Sequence, residues 1–311
     1  MSTAVIQRGD LHPTRCAICG TLDAASELYP ANFDYSAFNP KVFSARRIPD
    51  RIHYRLVTCN SCGLIRSDPV VKTETIEKLY AESTFTYDEE VANLKRTYGR
   101  YLNEAVAELD GAKGRLLEIG CGNGFFLEEA IEQGFAQVRG VEPSKAATSG
   151  ASDRVSRQIV CDTMRPGLFR TGEFDMVCMF QVLDHIPQPG ELLDECLRVL
   201  RPGGLILCLN HNAQSISARV LGERSPIIDV EHTYLYSPPT MRRILADHGF
   251  EVLTVTQVRN TYSVRYLLHL VPMPRAIKQA LLGVLKGTRL GGFRLSVALG
   301  NLCVVGRKPI K

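Results

Sequence analysis

The sequence holds no run of about 18 uninterrupted apolar residues, which excludes a simple membrane-spanning helix. Met1 to Asp10 also lacks the cationic start and following apolar stretch of a secretory leader, so the expected location is cytoplasmic. Acidic residues are missing altogether from 252–311, a stretch with ten Lys and Arg. Removing those ten from the 37 cationic residues leaves 27 against 33 acidic ones upstream, a net of −6. A basic tail on an acidic body suits an anionic partner, whether a phosphate group, nucleic acid or an acidic lipid surface, or is a solvated face. Peripheral membrane contact through that tail is one expectation.

With 311 residues, 45% hydrophobic and 23% charged, the chain has a globular composition and the length for one medium domain plus a smaller appendage. Ten cysteines without an export signal argue against a disulfide scaffold, and Cys178, Cys196 and Cys208 lie inside apolar segments as reduced core residues. Four others pattern differently. Cys16 and Cys19 form one CxxC turn and Cys59 and Cys62 a second, each followed by a glycine, Gly20 and Gly63. Four thiolates in two such turns complete a tetrahedral zinc shell, and glycine tolerates the positive φ that points backbone N–H groups at sulfur. A closed four-cysteine shell leaves no position for substrate, so the expected role of Zn2+ is structural.

Residues 1–70 are therefore expected to form a zinc-binding module. Residues 71–110, with acidic, basic and apolar positions at helical spacing, read as a helical linker whose Tyr80, Tyr87, Tyr98 and Tyr101 serve chiefly in packing. From Gly114 strands and helices alternate: Arg115 to Ile119, Val138 to Val141, Phe174 to Phe180, Leu205 to Leu209 and Phe250 to Val255 read as strands, and Leu302 to Val305 as the last. This alternation predicts an α/β domain over 111–311, doubly wound around a parallel sheet, with its ligand at the C-terminal strand ends. The basic segment 257–300 reads as an insertion before the last strand. Within it Ile277, Ala280, Leu281, Val284 and Leu285 share one helical face, with Arg275, Lys278 and Lys286 elsewhere. It is expected to shape the acceptor pocket and hold an anionic substrate, or else to cap the fold.

The glycine-rich turn lacks the third glycine of the dinucleotide fingerprint: five positions after Gly120 stands Phe125, and after Gly122 stands Leu127. What is there is Glu118-x-Gly120-x-Gly122-x-Gly124. A carboxylate two residues before the first glycine suits a ligand carrying an ammonium group and repels a pyrophosphate. This run resembles motif I of the class I methyltransferases that depend on S-adenosyl-L-methionine (SAM). The resemblance continues in order over residues 114–256. Glu142 matches the ribose-binding acid, Cys161-Asp162-Thr163 the place of an Asp against the adenine amino group, and Gln181-Val182-Leu183-Asp184-His185 the methyl-transfer site. Leu200-Arg201-Pro202-Gly203-Gly204 matches the turn before the fifth strand, and Ala246-Asp247-His248-Gly249-Phe250 the run into the sixth. It implies a Rossmann-like seven-stranded sheet, SAM as cofactor, and Glu118, Gly120, Gly122, Gly124, Glu142, Asp162 and Gln181 as its contacts. Asp184 stands where relatives more often carry Glu, a change expected to leave the cofactor site undisturbed. The cysteine pairs and the phrase Val57 to Leu64 resemble the N-terminal zinc module of many bacterial methyltransferases, NDP-sugar C-methyltransferases among them.

A sulfonium is already an activated methyl donor, so the protein must align the acceptor and, for a hydroxyl or carbon acid, take away a proton. Histidine is the natural base near neutral pH. The candidates are His232, beside Glu231 in a pair similar to the Glu-His of the sugar C-methyltransferases, then His185 past the fourth strand and His211 past the fifth. No Asn/Asp-Pro-Pro-aromatic turn follows the fourth strand, which argues against methylation of amino nitrogens on bases. Cys178 lies within that strand, which argues against pyrimidine C5 chemistry. The expected function is O- or C-methylation of a small-molecule or glycan acceptor, nucleotide sugars included. RNA methylation and a non-catalytic interaction protein on the same fold are the alternatives. No stable nucleic acid partner is expected, because residues 10–66 are only modestly basic and lack an arrangement of stacking aromatics.

Overall fold

The computed structural model describes residues 10–32, 52–81, 91–111, 113–270, 273–286, 288 and 292–310; Tyr87 and Arg289 lie outside them. Five short strands open the chain: β1 (Leu11–His12), β2 (Ala25–Tyr29), β3 (Leu56–Cys59), β4 (Ile65–Ser67) and β5 (Val70–Val71). The pairs β1–β5, β2–β3 and β3–β4 are antiparallel. Helices α1 (Thr73–Ala81) and α2 (Val91–Val106) follow. Helix α2 buries Tyr98, Tyr101, Leu102 and Ala105, a stripe at helical spacing, and Tyr98 stacks on Phe180 with ring centres 4.1 Å apart.

The alternating part begins with β6 (Arg115–Ile119), α3 (Phe125–Glu132), β7 (Gln137–Val141), α4 (Lys145–Ser149), β8 (Ile159–Val160), β9 (Phe174–Phe180) and α5 (Pro189–Val199). It continues through β10 (Leu200–His211), α6 (Ile216–Leu221), β11 (Tyr234–Leu235), α7 (Pro238–Asp247), β12 (Glu251–Ser263), α8 (Val264–Leu270), α9 (Arg275–Lys286) and β13 (Arg294–Arg307). Seven strands form one mixed sheet in the order β12-β13-β10-β9-β6-β7-β8. The five from β10 to β8 are parallel, and β13 runs antiparallel between β10 and β12. Central strands covered on both faces must be apolar on both. Leu116, Leu117, Met176, Val177, Ile206 and Leu207 are accordingly all fully buried, each stabilising the fold by roughly 1.5–3 kcal/mol. This is the expected Rossmann-like α/β sheet.

Three local expectations change. Strand pairing on β9 starts at Leu200, so Leu200 to Gly204 belongs to β10, with the register shifting between Leu200 and Leu205. The expected insertion is largely a long hairpin: β12 and β13 stay paired out to Asn260↔Val297 and Ser263↔Arg294, with only α8 and α9 between them. Threonine, valine and tyrosine carry these positions, and their preference for pleated backbone outweighs the polar texture that hid the strands. The apolar face of α9 does not pack inward either, because Ile277, Leu281 and Val284 are exposed.

Strand β11 belongs to the N-terminal sheet, not the central one. Tyr234 and Leu235 pair with Arg66 and Ile65, giving the order β11-β4-β3-β2. The segment after β10 is thereby stitched to the cysteine-bearing module.

Candidate active site

The C-terminal ends of the parallel strands open on a cavity of about 980 Å³. One wall comes from the turn after β6. Gly120 sits at φ 73°, and a Cβ there would lie 2.5 Å from Val182 Cγ2, so only glycine lets the turn pass this close to the chain after β9. Gly124, at φ 78°, begins α3 and lies behind the cavity wall that Gly120 and Gly122 line. Glu118 faces the cavity from β6, and its Oε2 is buried with no hydrogen-bond partner among the described residues. Burial, then the neighbouring Glu142, pushes its pKa well above the usual carboxylate value. Glu142, after β7, accepts from the Gly122 amide at 3.0 Å and the Ser144 amide at 2.8 Å. Burial raises its pKa although those amides oppose it. An orphaned buried carboxylate oxygen beside a second acid fits a ligand with an ammonium group and ribose hydroxyls. Asp162 stands apart from the wall: it accepts from Arg165 Nε at 3.0 Å, and it is Thr163, Met164 and Arg165 that line the cavity.

The neighbouring part of the lining is built after β9 and β10. Gln181 adopts φ 58°, a strained conformation for a non-glycine residue, and presents a buried Oε1 without a partner among the described residues. Beyond it Asp184, fully buried, is the hub. Its Oδ2 accepts from His211 Nδ1 at 2.6 Å, its Oδ1 accepts from Asn210 Nδ2 at 2.9 Å, and His185 Nε2 lies 3.7 Å away. Burial alone would raise this carboxyl, but His185, His211 and His232 around it hold it below the usual range. The His232 ring lies between those of His185 and His211, centres 4.7 and 4.6 Å away, and its Nδ1 meets the Ile227 carbonyl at 2.9 Å. Burial pushes His232 well below the usual imidazole value and lowers His185 as well. His185 Nδ1 is 2.7 Å from the Tyr80 hydroxyl. Glu231 lines the same cavity. Asp184, His211 and His232 could also ligate an ion, their ligand atoms lying within 4.8 Å of one another. The 2.6 Å Asp184–His211 hydrogen bond closes the gap between two of them, and the arrangement is that of a carboxylate-held imidazole.

Of the sequence candidates, Glu118, Gly120, Gly122, Glu142, Gln181, His185, Glu231 and His232 share the one cavity. Asp184, placed by the sequence in the methyl-transfer stretch but given no role of its own, is the hub of the histidine cluster; the signal was an Asn-His pair ending an otherwise apolar strand, Asn210 and His211. Asn260 and Tyr262 of β12 also reach the cavity, whereas no residue of α9 lines it.

A family model described as a methyltransferase domain matches residues 88–255, just over half of the chain. The chain belongs to this family. It is a class I SAM-dependent methyltransferase domain, and SAM is the family's cofactor. A ubiquinone biosynthesis O-methyltransferase of Psychrobacter cryohalolentis is 30% identical over 140 residues, which is 42% of this chain and 54% of that protein. One of Psychrobacter arcticus is 28% identical over 51% of this chain and 67% of that protein. The chain thus spans about half to two thirds of the length of the curated relatives it matches. A solved SAM-dependent methyltransferase from Archaeoglobus fulgidus superposes with a TM-score of 0.48 at 17% identity, covering 71% of this chain and 98% of that one.

The methyltransferase carries its four N-terminal cysteines in a single cluster. Sγ atoms of Cys16 and Cys62, and of Cys19 and Cys59, are 3.4 Å apart, and those of Cys19 and Cys62 are 4.0 Å apart. With Zn–S bonds of about 2.3 Å, tetrahedral geometry sets sulfurs roughly 3.8 Å apart, so the residues present fit zinc. Gly20 and Gly63 close the two turns at φ 69° and 76°, their amides bonded to the Cys16 and Cys59 carbonyls at 2.9 Å. No described helix is long and apolar enough to cross a membrane.

Proposed function

We propose that the protein transfers the methyl group of SAM to a hydroxyl oxygen of a small-molecule acceptor, with His211 as proton acceptor and Asp184 as the group that holds it. The observation that carries this reading is Asp184: a buried carboxylate orients an imidazole that lines the same cavity as Glu118 and Glu142. When bound, SAM supplies an activated methyl group. Glu118 would hold its ammonium end and Glu142 its ribose, with the backbone of Gly120 to Gly122 in close approach. The Asp184 carboxylate accepts from His211 Nδ1, which leaves Nε2 as the base. His211 Nε2 would accept the proton that the acceptor hydroxyl loses on methylation by SAM, the co-product being S-adenosylhomocysteine. His232, Glu231 and His185 contact the acceptor.

The O-methyltransferase relatives support oxygen over carbon as the acceptor atom. The glycan and nucleotide-sugar acceptors expected from the module resemblance have no counterpart among the relatives cited. In the same reading residues 1–70 are a structural zinc module, 71–110 a helical linker and 111–311 the catalytic domain. Isothermal titration of the zinc-loaded protein with SAM and S-adenosylhomocysteine, with Glu142→Ala as control, tests the cofactor site. Binding that the variant loses is the expected result, and no heat from the folded protein overturns it. Release of S-adenosylhomocysteine over small phenols and over nucleotide sugars then tests the acceptor class; turnover confined to the sugars would sink the hydroxylic small-molecule reading.

A further inference from the structure

We propose that α6, α9 and the adjoining start of β13 form a docking face for an anionic lipid bilayer at the mouth of the acceptor cavity. Nine large apolar side chains are exposed among the described residues, and seven of them lie on these elements. Helix α9 presents Ile277, Leu281 and Val284, spaced so that all three fall on one side of the helix, with Ile277 54% and Val284 63% exposed. Ile216 and Val220 of α6 are 71% and 76% exposed, and Phe293 and Leu295 add to the set. A soluble surface scatters such residues singly; a row of three on one side of α9, with Phe293 and Leu295 at the start of β13, marks an interaction site.

Charge complementarity selects the occupant. From 252 to 311 the chain has ten cations and no acid, and the exposed Lys286 and Arg294 stand on the elements that carry the apolar residues. Arg219 and Arg224 are exposed on and beside α6, and Glu223, between them in sequence and also exposed, lies 3.2 Å from His53 Nε2. An apolar stripe flanked by cations, as on α9 and the start of β13 where the sequence has no acid, is the composition of an interfacial helix on anionic lipid. The face is continuous with the cavity. Leu221 of α6, Tyr266 and Leu267 of α8, and Leu299 of β13 line it, so an acceptor with a lipid-soluble body would pass from the bilayer to the histidine wall without crossing water.

Co-sedimentation of the full chain with vesicles tests this without turnover, so its outcome is independent of the methyl-transfer reading. Vesicles of phosphatidylcholine with phosphatidylglycerol are compared with phosphatidylcholine alone. The expected result is binding to the anionic vesicles only, released by high salt. Lys286→Glu and Arg294→Glu each weaken it about fivefold or more. The triple variant Ile277→Ser, Leu281→Ser, Val284→Ser loses it roughly tenfold while keeping the parent's melting temperature and SAM affinity. Absence of sedimentation, equal binding by the variants, or a salt-independent partition into neutral vesicles overturns the proposal. So does a dimer in analytical ultracentrifugation that the triple variant dissociates, since the face would then belong to a second copy of the chain.

Discussion

Asp184 Oδ2 lies 2.6 Å from His211 Nδ1, joining the segment after β9 to the last residue of β10. Parallel neighbours end side by side, which brings the two together, and the ionised, buried carboxylate makes the bond strong and costly to disturb. Asp184→Asn keeps the shape but places an amide where a carboxylate holds the imidazole proton. We expect kcat to fall by about 10²- to 10⁴-fold with SAM affinity unchanged. A fall below tenfold in single-turnover assays would remove His211 from the role of base.

The cysteine-bearing part of the chain is hydrogen-bonded to the backbone of the segment that carries His232. Ser67 Oγ donates to the His232 carbonyl at 2.7 Å, the Ser67 amide to the Thr233 carbonyl at 2.9 Å, and the Tyr234 hydroxyl to the Arg15 carbonyl at 2.9 Å. Ser67→Ala removes one buried bond, worth about 1 kcal/mol, and should lower kcat about fivefold without altering zinc content. Cys59→Ser should cost the bound zinc, read by elemental analysis, and lower kcat further while SAM still binds. Full activity in the zinc-free variant would make the module an independent appendage.

The distribution of legible and hidden features follows sequence distance. The glycine turn, the strand Phe174 to Phe180 and the CxxC turns each depend on neighbours a few residues apart, so residue type and spacing announce them. Asp184 and His211 stand 27 positions apart and meet only because β9 and β10 are adjacent in the sheet. Tyr234 and Leu235 form a two-residue strand whose partner lies some 170 positions earlier, and nothing local marks it. Asp162 illustrates the converse: the motif order singles it out, but its carboxylate accepts from Arg165, three residues on, and does not line the cavity.

Acidification should unfold the protein through its buried imidazoles. Burial depresses His232 and His185 below the usual value of about 6.5, with Asp184 opposing in both cases. A depressed folded pKa contributes stability that is present above the unfolded value and is lost as pH falls through the folded one. The melting temperature is therefore expected to hold between pH 8 and 7 and to drop below about 6.5. His232→Gln should flatten that drop. An acid slope that is identical in the variant would place the titration elsewhere.

In the proposed reading Glu118 carries the cost of preparing a cofactor site. Its carboxyl is buried, one oxygen lacks a partner among the described residues, and burial together with Glu142 raises its pKa well above normal. A raised folded pKa contributes stability that is present below the unfolded value, near 4.3, and is lost as pH rises through the folded value. At neutral pH the free protein thus carries an unfavourable buried acid that an ammonium ligand would relieve. Glu118→Gln removes the acid and keeps the volume. We expect the melting temperature of the ligand-free protein to rise by about 2–4 °C, the size of a 1 kcal/mol gain. SAM affinity should fall by roughly 10- to 100-fold, the worth of a charge-assisted hydrogen bond. Opposite movement of the two quantities separates a cofactor contact from a packing residue, which would lose both stability and binding together. A variant that binds SAM like the parent would assign the ammonium to another group.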